Sequence, residues 1–198
     1  MTMRISYNSP VILTYTLIAF SVLLIDQYTP GSLTQHYFTL WNQFDFRSPV
    51  DYFRAVSHVI GHADWPHFLG NFMLILLIGP ILEEKYGSWT LFEMIVTTAL
   101  ATTILNLLFF NTGLLGASGI VFMLILLASF ANVRTGRIPL TFILILLIYI
   151  GSELLNAFRN DSISQFAHIT GGIAGSLFGF LYPKKSSPDQ PDGIIPPS

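Results

Sequence analysis

Of 198 residues (22.1 kDa), 52% are hydrophobic and only 10% are charged, whereas a soluble domain carries about 25% charged residues. A chain of this size exposes too much surface to hide that composition in water, so a soluble globular domain is excluded. A net charge of -2 provides no basic footprint for nucleic acid, and the absence of cysteine excludes a disulfide framework, a Cys-ligated zinc and a thiol nucleophile.

The charges sit between long neutral stretches, the pattern of repeated membrane crossings. A first span is predicted over Pro10 to Ile25; no small-residue cleavage site follows it, so it reads as a retained helix rather than a signal peptide. The segment from Asp26 to Pro66 is a connection of about forty residues, far longer than a usual helix link. Tyr28, Tyr37, Trp41, Phe44, Phe46, Tyr52 and Trp65 give it headgroup-level character. It is either a loop that dips into the outer leaflet or an interfacial anchor with no further role.

A second span runs from His67 to Leu82. The run 94–133 carries no charge but is too long for one helix, and Asn111, Gly113, Gly116 and Gly119 break it into spans over Ser88 to Phe110 and Ser118 to Asn132. Pro139 opens a fifth span ending near Ser152, and a sixth runs from Ser164 to Tyr182. Residues 1–183 thus form one membrane domain, and the Pro-rich tail 184–198 is expected to be disordered. With six spans, Arg4, Lys85, Arg134, Arg137, Lys184 and Lys185 share the side of both termini, against Arg47, Arg54 and Arg159 opposite. That bias predicts cytoplasmic termini and, for a prokaryotic chain, the plasma membrane.

Polar groups within a bilayer are costly, so each asks for a reason. His67 and Asn71 are four apart and share one face of the second span. Ser118 lies in "GASG", and His168 in "AHITGG". Ser118 to Ala131 rises only about 21 Å, short of the roughly 30 Å hydrocarbon thickness, which sets Ser118 on the order of 10 Å below the outer boundary. His168, His67 and Asn71 enter their spans from the same side, at a similar depth. This layer has the parts of an acyl-transfer site. His168 is the candidate base for the Ser118 hydroxyl. The backbone N–H groups of Ala117 and Ser118, at a helix start, together with the His67 and Asn71 side chains, are candidate oxyanion donors. Gly116 permits the sharp entry into the helix. Gly171, Gly175 and Gly179 make a flat helix face that continues from His168, suited to internal packing, although dimerisation uses the same physics.

Together, "H-x4-H-x3-N" at His62, His67 and Asn71, "GPILEEKYGS" after the second span, "GASG" and "AHITGG" with its glycine ladder resemble the rhomboid family of intramembrane serine proteases. The resemblance covers almost the whole chain. It implies an all-α bundle of six transmembrane helices with a long interfacial first loop and a short fourth helix. It further implies a Ser118-His168 dyad without an acidic third member and an oxyanion hole of His67, Asn71 and the Ser118 amide. Single-span membrane proteins, cut near the outer end of their helix after a small residue, are the implied substrates. No metal or cofactor is expected. Two positions depart from the family pattern: Phe53 precedes Arg54 where Trp is common, and Phe122 stands where many members have a Tyr stacked on the catalytic histidine.

Other readings are weaker. His58 and His62 are four apart and raise a metal site, but no "HExxH" is present and the nearest acid, Asp64, stands beside Trp-Pro. His62 fits better as a support for the loop. Glu93 reads as a snorkelling or capping carboxylate rather than part of a proton path, and Glu83 as a brace for the short loop at Gly87 and Ser88. A non-catalytic membrane chaperone is the main alternative function. A small transporter is less favoured, since no internal repeat is visible.

Overall fold

The computed structural model describes residues 6–109 and 113–133, and beyond these residues 140, 143, 144, 147, 148, 151, 170–174, 177, 178, 181 and 182. Six helices make up its continuous part: α1 (Pro10–Tyr28), α2 (Leu33–Tyr37), α3 (Pro49–Ser57), α4 (Trp65–Tyr86), α5 (Ser88–Phe109) and α6 (Ser118–Val133). Among the described residues there is no strand, only an isolated antiparallel bridge between Leu40 and Leu114.

Three helices, α1, α4 and α5, are long and apolar enough to cross a membrane. At 19, 22 and 22 residues they extend about 29 to 33 Å. α6 has 16 described residues, about 24 Å. The described positions within 139–152 and 164–181 are helical, but those two expected spans, like the tail 184–198, lie largely outside the described residues. Leu17, Met73, Leu77, Ile81, Leu108 and Phe109 are exposed on α1, α4 and α5. Such an apolar outer surface belongs in lipid, and the chain is an integral membrane protein.

α1 lies antiparallel against α4. Phe20 meets Trp65 and Phe68, Tyr15 meets Phe72, and Ile12 fills the space beside Gly79 so closely that a Cβ there would fall 2.6 Å from its Cδ1. The buried Glu83 closes the far end of this pair. Its two carboxyl oxygens accept from the backbone N–H groups of Val11 (2.9 Å) and Ile12 (3.0 Å). Ser9, at the cap position of α1, makes no side-chain bond of that kind, so the cap comes from a residue remote in sequence. The expected brace of the α4–α5 loop is thus a cap for α1, while the loop itself is closed by the Glu83 carbonyl accepting from Gly87 N–H at 2.8 Å.

α6 occupies the centre. Ile120, Val121, Met123, Leu124, Ile125 and Leu127 are all at most 1% exposed, as suits a helix that is apolar on every face. The first loop is folded: α2 and α3 are held by Arg54, which donates to the His36 carbonyl from Nε (2.9 Å) and bonds Asp51 (2.6 Å). Asp51 also accepts from the Asp45 N–H. Tyr28, Tyr37, Trp41, Phe46, Tyr52 and Phe53 remain exposed around this frame. Phe53 sits edge-on to Phe38, so the Phe-for-Trp departure falls on the outside of the loop while Arg54 ties it together.

Candidate active site

His67 is placed by the start of α4. Asp64 caps the helix, its Oδ1 accepting from the His67 N–H at 2.8 Å. Pro66 in the first turn needs no N–H and presets the helical φ. One turn on, Asn71 is buried, and its side-chain nitrogen donates to the His67 carbonyl at 3.0 Å. One of its two amide hydrogens is used in this way, which leaves the second for another acceptor.

The segment leading into Ser118 approaches from the other side. Gly116 has φ +108°, and a Cβ there would fall 2.5 Å from both Cε1 and Nε2 of His67. The imidazole therefore lies against Gly116, two residues before Ser118. The Ala117 carbonyl accepts from Val121 N–H at 2.9 Å to begin α6, so Ser118, which is buried, occupies the first helical position. The N–H groups of such a first turn have no partner within the helix, and the positive end of its dipole lies there.

Ala117 departs from expectation. Its N–H is not open toward the pocket; it donates to Nε2 of His62 at 3.4 Å. Gly116 N–H is likewise taken, by the His58 carbonyl at 2.9 Å, and Leu114 exchanges both backbone bonds with Leu40 (2.9 and 3.0 Å).

His168 lies outside the described residues. Three residues further along the chain, Gly171 packs so tightly on Gly119 that a Cβ would overlap the Gly119 carbonyl oxygen. At Gly172 a Cβ would fall 2.5 Å from the Phe122 ring. Gly171 and Gly172 thus meet the first turns of α6. This gives Gly171 an internal packing role; Gly175 and Gly179 are outside the described residues.

The histidines upstream of α4 are spoken for. His58 Nε2 bonds the Ala99 carbonyl (3.3 Å), and burial pushes its pKa down to about 4, with that bond opposing the shift. His62 Nδ1 bonds the Ile60 carbonyl (3.1 Å); burial, then the nearby His67, hold it down at about 3 against the bond to Ile60. His58 Nε2 and both ring nitrogens of His62 thus face backbone groups. Among the described residues, no three His, Cys, Asp or Glu side chains converge as a cation site.

Sequence reasoning missed the Asp64 cap, the His58 carbonyl and the Leu40 bridge. The first had a signal, an Asp followed two residues later by Pro at the start of an apolar run. The other two are backbone contacts across more than fifty residues and leave no local mark.

A helical bundle in lipid, with His67 seated against Gly116 and with Asn71 and Ser118 buried where α4 and α6 begin, defines a polytopic membrane protein with buried polar groups. The Rhomboid domain family model matches residues 49–185, and the chain belongs to the rhomboid family. It is 31% identical over 140 residues to Rhomboid-related protein 1 of Caenorhabditis elegans, covering 65% of this chain and 39% of that protein. It is 24% identical to Rhomboid protease GlpG of Haemophilus influenzae (65% and 68% of the two chains). To Rhomboid-like protein 11, chloroplastic, of Arabidopsis thaliana it is 23% identical (73% and 45%). The match therefore spans less than half of the worm and plant proteins.

Proposed function

We propose that the protein is an intramembrane serine endopeptidase, a six-span bundle over residues 1–183 that hydrolyses single-span membrane proteins near the outer membrane face. Ser118 is the nucleophile and His168 the base. His168 takes the hydroxyl proton as Ser118 Oγ bonds to the scissile carbonyl carbon, and returns it to the amine that leaves. Water, deprotonated by the same imidazole, then attacks the acyl carbon, and the imidazolium returns that proton to Ser118 Oγ as the carboxyl product leaves. The developing oxyanion is met by the Ser118 N–H and by donors from His67 and Asn71. Gly116 shapes the approach, and Ala117 contributes by anchoring the loop rather than as a donor. The reaction uses only side chains and backbone, without metal or cofactor, and the termini face the cytoplasm.

The observation that carries this reading is the seating of Gly171, three residues after His168, on Gly119, the residue after Ser118. The His67 ring against Gly116 adds a second side to the same pocket. Membership of a family in which a relative is named a rhomboid protease supports it further.

A fluorophosphonate probe should label the wild type in detergent and leave Ser118→Ala and His168→Ala unlabelled. Equal labelling of wild type and Ser118→Ala would sink the assignment. Binding of single-span helices with no labelling and no cleavage would favour the chaperone.

A further inference from the structure

His62 is 0% exposed and is boxed by the rings of His67 (4.9 Å), Phe68 (5.5 Å) and Phe72 (5.5 Å). Both of its nitrogens have backbone partners: Nδ1 faces the Ile60 carbonyl and Nε2 faces the Ala117 N–H. A carbonyl only accepts and an amide N–H only donates, so a single state satisfies both, the neutral ring with its proton on Nδ1. The opposite tautomer sets a lone pair against the Ile60 oxygen and an N–H against the Ala117 N–H. A charged ring loses the acceptor altogether.

We propose that His62 is a positioning residue for the reaction: as the Nδ1–H tautomer it anchors the Ala117 N–H and so fixes where α6, and with it the Ser118 hydroxyl, begins. The other tethers on this segment, Leu114 to Leu40 and Gly116 to the His58 carbonyl, are backbone to backbone. The bond to His62 is the side-chain tether next to Ser118, and it also withdraws the Ala117 N–H from the oxyanion pocket. Displacing a nucleophile by about 1 Å costs up to about 100-fold in rate. The inference rests on Ser118 being the nucleophile.

The test compares His62→Gln, whose side-chain carbonyl reaches the position of Nε2, with His62→Asn, which reaches only that of Nδ1, and with His62→Leu. Asn and Leu should lower kcat on a single-span substrate, and the rate of fluorophosphonate labelling, by about 10- to 100-fold with KM unchanged, and Gln should recover most of the loss. Gln as slow as Asn, or Asn and Leu as fast as wild type, would overturn the proposal. Should these variants fail to fold, nitrogen NMR of histidine-labelled wild type decides. The His62 signal, assigned through its contacts to Phe68 and Phe72, should be that of the Nδ1–H tautomer at neutral pH, and an Nε2–H or charged ring counts against the tether. The two readings fail separately: a wild type that takes up no probe removes the nucleophile, whereas the wrong tautomer removes the tether.

Discussion

At Gly116 two demands meet on one residue. Its φ of +108° is a conformation that side-chain-bearing residues rarely adopt, and the space where a Cβ would go is filled by the His67 ring. Alanine would have to give up that backbone conformation, at about 1–2 kcal/mol, or push the imidazole aside. Either response moves a group of the proposed site. Gly116→Ala should therefore slow fluorophosphonate labelling by about 100-fold while lowering the melting temperature only modestly. Gly113→Ala is the matched control: its φ is unremarkable for an L-residue, and its nearest neighbour would be the Leu40 oxygen at an ordinary 3.6 Å. A Gly116→Ala protein that labels at the wild-type rate would mean that His67 is not held where the reaction needs it.

Between elements, the cap that Glu83 places on α1 joins the first membrane helix to the end of the second. The N–H groups of Val11 and Ile12 have no intrahelical partner, and lipid offers none, so losing both carboxyl oxygens leaves two buried donors unmet. Glu83→Ala should cost about 2–4 kcal/mol of stability, with Glu83→Gln, which keeps one acceptor, losing less. Because Glu83 lies 16 residues along α4 from His67, about 24 Å away, the labelling rate of the folded fraction should hold. Thermal unfolding in detergent read beside probe labelling checks this, and a proportional fall in both would place Glu83 in the chemistry instead. The starts of α1, α5 and α6 were legible because their apolar runs open at Pro or just after Gly, features that act locally, whereas α1 and α4 run on to Tyr28 and Tyr86, beyond the charges at which the expected spans ended. α2 and α3 were not legible. They are short helices whose partners, the His36 carbonyl for Arg54 and the Tyr37 carbonyl for Ser57, come from elsewhere in the loop. The same limit explains Ala117: a helix start implies open N–H groups, and only the tertiary fold brings His62 to one of them.

Taken as a whole, the molecule hangs its first loop on the buried helices through neutral histidines. His58 reaches the α5 carbonyl of Ala99 with its ring and Gly116 with its own carbonyl, while His62 holds Ala117. Loop, α5 and the entry to α6 are therefore one cooperative unit. Burial lowers both histidines from 6.5, to about 4 and about 3, and the sign of the linkage follows. Below about pH 6.5 the unfolded chain binds protons that the folded chain refuses, so stability is complete at and above neutral pH and falls as the pH drops toward 4. Each histidine contributes a slope of up to about 1.4 kcal/mol per pH unit in that window. Unfolding in detergent between pH 7.5 and 4.5 should show the decline, and His58→Gln, which removes one of the two groups, should roughly halve its slope. Stability that stays level across this range would mean that the folded protein takes up the protons after all, and that the loop opens to water well before the bundle unfolds.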